Sequence, residues 1–235
     1  MRFALAWLAA CALLLQSGRA HACGVSGPDG AWSCSLEEHE EELRPRWQLG
    51  AAGVYTSTSL SFGEGLRADQ TRYTVVATGV YAPTRRFSLL VSAGLGFGGE
   101  LRMDDASYDL WGGPTLAAGV VYTLLEGRPF VALSGVFSAA YAQTQAAGEG
   151  TESYTALDLR VGLIVGTVLF DVLVPYAVVR AFGGPVFWQG WTGTDLHHYQ
   201  LGAGLTVRPL EWWSISLEGV PLGEQALSAG TAIAF

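Results

Sequence analysis

The chain has 235 residues, half of them apolar and only 14% charged, with 31 glycines and a formal net charge of −8. A soluble domain wants roughly 25–35% charged residues on its surface, so this composition excludes an ordinary soluble protein. All 13 basic residues are arginine and the balance is acidic, which excludes the basic face that nucleic acid requires.

Taken from the start, residues 1–22 combine Arg2, an apolar run from Phe3 to Leu15, and the small-residue pattern Ala20-His21-Ala22. That is a cleaved secretory signal, since the run falls short of the ~20 apolar residues that a spanning helix needs. Losing Arg2 and Arg19 with it takes the formal charge from −8 to −10. Cys23 and Cys34 then flank a Gly-Pro-Asp-Gly turn at 27–30. In an exported chain such a pair reads as one disulfide, with acylation of Cys23 as the open alternative. Ser35 to Arg44, crowded with Glu37, Glu38, Glu40, Glu41 and Glu42, reads as a short solvated helix before Pro45, or more sharply as a divalent-ion site. Residues 23–45 thus form an N-terminal segment distinct from 46–235.

From Arg46 the chain alternates in long segments near 46–60, 71–82, 87–102, 108–124, 129–143, 153–169, 172–183, 195–208, 212–219 and 225–235. Four connections are tight, at 83–86, 125–128, 170–171 and 209–211, whereas 61–70, 144–152 and 184–194 are longer. Ten strands joined by short turns and long loops in turn predict an all-β, closed, antiparallel up-and-down transmembrane barrel. The clearest segment is 153–169. Leu157, Leu159, Val161, Leu163, Val165 and Leu169 share one parity, and Asp158, Arg160, Gly162, Ile164 and Gly166 the other. Facing the charges to lipid would cost up to ~2–4 kcal/mol for an arginine near the midplane, so the leucine row is expected outside and Asp158 and Arg160 in the lumen. A soluble lipocalin-type barrel has the opposite parity, with charged residues outside. Here the second parity of the third and fourth segments is Ser88, Ser92, Gly94, Gly96, Thr115, Ala117 and Gly119, which suits a narrow lumen.

The final segment places Leu227, Ala229, Thr231, Ile233 and Phe235 on one parity. With the leader and the ten alternating segments, this end resembles bacterial outer-membrane β-barrel proteins, whose last strand closes on a terminal aromatic. The resemblance is to the class and to no single family. It implies location in the outer membrane of a Gram-negative cell, contact with outer-membrane lipids, and Phe235 as the signal read by the barrel assembly machinery.

Applying the parity strand by strand collects Arg72, Glu100, Arg102, Asp109, Asp158, Arg160, Arg180, His198 and Glu218 in the lumen, all toward the loop end. The bland reading is a salt-bridge network that fills a small barrel, because buried charges must be paired. The sharper one is a mouth-facing pocket or a narrow anion-favouring pore, with arginines holding a small anionic ligand. Asp195-Leu196-His197 is similar to the Asp-x-His dyad of omptin-type outer-membrane proteases, with Asp104-Asp105 in another loop. Yet Asp195 and His197 share parity with Tyr199 and Leu201, the lipid side. The expectation is therefore a structural or binding barrel at the cell surface, non-enzymatic and without a cofactor or metal.

Overall fold

The structure is a computed structural model that describes residues 23–24, 32–33, 47–103, 106–145 and 150–235. The expected leader, Cys34 of the expected disulfide, the acidic run 35–44 and Asp104-Asp105 lie outside the described residues. A two-residue pair, β1 (Cys23–Gly24) and β2 (Trp32–Ser33), precedes the barrel. The barrel strands are β3 (Trp47–Phe62), β4 (Arg67–Tyr81), β5 (Phe87–Met103), β6 (Ala106–Trp111), β7 (Pro114–Leu125), β8 (Phe130–Gln145) and β9 (Thr151–Gly166). They continue with β10 (Leu173–Gly183), β11 (Pro185–Trp188), β12 (Trp191–Asp195), β13 (Tyr199–Leu210), β14 (Trp213–Gly223) and β15 (Gln225–Ala234).

Thirteen strands make the sheet where the pattern predicts ten, because three lengths are interrupted. The breaks fall at Gly112–Gly113, at Gly184, and at residues 196–198. At the turn end the ring runs β3, β4, β5, β7, β8, β9, β10, β13, β14, β15 and back to β3, ten strands around. The hairpin β14–β15 is short, its last pair with β3 being Gln225 against Ser57. Beyond it β12 pairs directly with β3, Asp195 against Leu60 and Gly193 against Phe62. The ring there runs β3, β4, β5, β6, β8, β9, β11, β12, only eight strands around. The barrel narrows from ten strands to eight toward its loop end.

Over the ten-stranded part the outward row is apolar. Leu159, Val161, Leu163 and Val165 are exposed on β9, with Val91 and Leu95 on β5 and Leu201 and Leu205 on β13. Aromatics border this belt: Tyr55, Tyr73, Phe97 and Tyr141 toward the loops, and Trp47, Tyr122, Trp212 and Phe235 toward the turns. Rings stack from strand to strand along each border, Tyr55 on Tyr73 at 5.1 Å and Trp47 on Tyr81 at 4.5 Å. This is the surface that meets a bilayer, with interfacial aromatics at both edges.

Beyond the loop-side aromatics the outward row turns polar: Ser57, Ser59 and Ser61 on β3, Arg67, Asp69 and Thr71 on β4, Gln143 and Gln145 on β8. The inward row there becomes apolar. Leu60, Phe62, Leu101, Leu110, Ala142, Tyr154, Val186 and Trp188 fill the eight-stranded collar. Among the described residues, Tyr108 lies edge-on to Trp188 there at 4.9 Å and Phe62 beside Trp188 at 5.9 Å. A second apolar layer, including Val80, Leu90, Val121, Phe130, Ile164, Val174 and Val178, fills the lumen toward the turns. There large and small side chains alternate around the wall. A Cβ on Gly204 would strike the Tyr176 ring, and one on Gly166 the Phe130 ring, so glycine is what lets those aromatics lie flat across the lumen.

Candidate functional site in the barrel lumen

Between the two apolar layers lies a polar one, and it contains most of the expected lumen residues. Arg180, expected in the lumen by strand parity, points inward and is 2% exposed. Its guanidinium grips Glu218 through two contacts, Nη1 to Oε1 at 2.9 Å and Nη2 to Oε2 at 3.3 Å. The Tyr176 hydroxyl donates to the same carboxylate at 3.0 Å. Arg180 also reaches the Gln200 carbonyl at 3.5 Å, and the Gln200 amide donates to Glu224 at 3.1 Å. Glu224 in turn accepts from Arg160 at 2.9 Å, and Arg160 pairs with Asp158 two residues before it on β9. The Arg160 guanidinium lies over the Phe182 ring, 4.9 Å from its centroid.

One connected chain of charge-assisted hydrogen bonds thus links β9, β10, β13, β14 and the β14–β15 turn. Arg180, Glu218 and Glu224 are buried and Asp158 and Arg160 largely so, and each ion meets its opposite. The sequence alone missed Glu224, because a turn residue has no strand parity to assign. Gln200 is the neutral link between the two arginines, through Glu224, and Tyr176 adds a donor to the Glu218 end.

Arg72 faces inward as expected but stands apart from this chain. It donates to the Tyr141 carbonyl at 3.4 Å and packs on Gly96, where a Cβ would come within 3.0 Å of the guanidinium. It makes no ion pair among the described residues. Beside it is a cavity of about 140 Å³, lined by charged Arg72, Asp158, Arg160, Asp195 and Glu224, by the hydroxyls of Thr56, Thr58, Thr74, Thr115 and Ser138, and by Tyr154. Tyr154 donates to Gln70 at 2.8 Å and Thr58 donates to Asp195 at 2.9 Å.

Four expected lumen residues lie elsewhere. Glu100 and Arg102 point outward, because Phe97 is an extra residue in β5: Tyr73 pairs with Gly98 while Thr74 pairs with Gly96. Such a bulge exchanges the two faces for everything beyond it, and Leu101 takes the inward place instead. Glu100 pairs with Arg102 at 2.9 Å and accepts from Ser107 at 2.6 Å on the outer face of the collar. Asp109, opposite Glu100, is exposed, because the break at Gly112–Gly113 reverses the parity between β6 and β7. His198 is exposed in the irregular segment 196–198.

That last interruption works in the other direction on Asp195, which the unbroken pattern directs to lipid and which lines the lumen. His197 stays outside, edge-on to Tyr199 at 6.1 Å. At the seam of the barrel, Trp47 and Phe235 hydrogen-bond through their backbones and the Phe235 ring faces outward. Arg208, at the turn end of the expected 195–208 segment, is buried on the inward row of β13.

No protein-family model matches the chain, and no curated protein sequence does. Solved structures do. The translocator domain of autotransporter NalP from Neisseria meningitidis is 11% identical over 83% of this chain and 90% of its own, with a TM-score of 0.50. The transport unit of the autotransporter AIDA-I from Escherichia coli is 10% identical, over 85% of this chain and 92% of its own, at a TM-score of 0.42. An outer membrane channel from Pseudomonas putida F1 is 10% identical, over 85% of this chain and all of its own, also at 0.42. The likeness is one of fold: this chain is a closed antiparallel β-barrel of the bacterial outer-membrane type.

Proposed function

We propose that this chain is a non-conducting outer-membrane barrel that carries a binding or structural collar at the cell surface. The observation behind this reading is the packing of the lumen. Two apolar layers enclose a polar one whose arginines Arg160 and Arg180 are held by carboxylates. An anion-favouring pore needs arginines free to meet the permeant ion, and it needs a wet path past both apolar layers. The collar supplies a different asset, a rigid eight-stranded end with a polar outer face that includes Asp69, Glu100, Arg102 and Asp109. Protease chemistry needs Asp195 and His197 to share a proton, and one lines the lumen while the other is exposed outside.

Purified protein in a planar bilayer tests the proposal. The expected result is no discrete conductance steps in 1 M salt. Regular steps with anion selectivity would replace this reading with the narrow pore.

A further inference from the structure

The lumen cavity carries an inference independent of whether the barrel conducts. Its lining holds three carboxylates, Asp158, Asp195 and Glu224, against two guanidiniums, Arg72 and Arg160. Arg160 gives Nε to Asp158 and Nη2 to Glu224, and its Nη1 is a further buried donor in the same cluster. Arg72 is turned to the Tyr141 carbonyl. Acceptor capacity is left over on the acidic side. The Oδ1 of Asp158 is buried with no hydrogen-bond partner among the described residues, and Asp195 accepts a single bond there, from Thr58. A carboxylate oxygen away from water and without a donor is costly, so something that donates belongs in the space beside it.

We propose that this cavity is a binding site for a small organic ammonium ion. At about 140 Å³ the space is close to an engineered ~150 Å³ pocket that admits benzene, but its lining is polar. A primary amine of a few heavy atoms brings a positive charge and three donors to Asp158 and Asp195. The hydroxyls of Thr56, Thr74 and Ser138 can serve a hydroxyl or carboxylate on the ligand's other end, next to Arg72. The sign is the reverse of the anion site that counting lumen arginines suggests. Asp195 and Glu224 produce that reversal, the break between β12 and β13 bringing the first into the lumen and the β14–β15 turn supplying the second, while the β5 bulge takes Glu100 and Arg102 out together and leaves the balance unchanged.

The test uses the full barrel, folded from urea into detergent micelles with ethanolamine, methylammonium or acetate as probes. Both amines are expected to raise the thermal midpoint saturably, and acetate is not. Asp158→Asn and Asp195→Asn, each checked for native β-sheet circular dichroism, are expected to weaken the amine effect at least tenfold. Asp195→Asn keeps the shape of the site and avoids the Arg160 pair, so it decides the matter if Asp158→Asn does not fold. An absent amine effect in the unmodified protein, an undiminished one in Asp195→Asn, or saturable stabilisation by acetate would overturn the proposal.

Discussion

Trp47 and Phe235 exchange both of their backbone hydrogen bonds, Trp47 N to Phe235 O at 3.1 Å and Phe235 N to Trp47 O at 2.9 Å. The pair ends the β15–β3 seam through main-chain atoms, while the Phe235 side chain lies on the outer wall at 63% exposure. Stability and assembly are thereby separable at one residue. Phe235→Ala is expected to refold in detergent with an unchanged thermal midpoint but to reach the membrane at a lower level in cells. Equal membrane levels for both proteins would remove the assembly role.

Arg180 and Glu218 form the most buried ion pair described, at 2% and 0% side-chain exposure. Glu218→Gln leaves a guanidinium without its counter-charge and is expected to cost about 3–5 kcal/mol. The double replacement Arg180→Met with Glu218→Leu should recover most of that loss. Urea unfolding in lipid vesicles measures both. A double variant that stays as destabilised as Glu218→Gln would mean that the pair contributes net stability rather than mutual neutralisation.

The two faces of the wall exchange character along its height, and substitution can map where. Leu163→Arg, in the middle of the outward apolar row, is expected to cost about 2–4 kcal/mol of folding free energy in vesicles. Asp109→Arg, on the outer face of the collar, is expected to change it by less than about 0.5 kcal/mol. A large cost for Asp109→Arg would put that residue back in the lumen.

Gly204 faces the Tyr176 ring so closely that an added methyl must displace it. Gly204→Ala should lose about 1–3 kcal/mol by overpacking. Gly53→Ala, with nothing within 4 Å of the added carbon, is the control and should leave the thermal midpoint in place.

What the sequence made legible is the part of the wall where period two runs unbroken. On β9 the parity of Leu159, Leu163, Asp158 and Arg160 carries through from end to end, as it does for Arg72 on β4 and Glu218 on β14. It fails past Phe97, past Gly112–Gly113, and across residues 196–198, and each failure swaps a charged residue to the other face. Two of these places are glycine-rich, and glycine within a strand pattern often marks a bulge or close approach. A second sign is present in Leu101 and Leu110. They are out of phase with the lower apolar row because the collar keeps its oil inside. Glu224 and the pairing of β12 with β3 depend on where one hairpin ends, which no local pattern encodes.

The collar also fixes how deep the protein floats. Sinking by one residue pair would drag Asp69 and Glu100 into hydrocarbon, and rising by one would lift Tyr73 and Phe97 into water. The protein therefore carries its own waterline. Because the taper from ten strands to eight starts close to that line, the part that stands clear of the membrane has a slimmer, solid stem and can be held at a set height above the lipid heads.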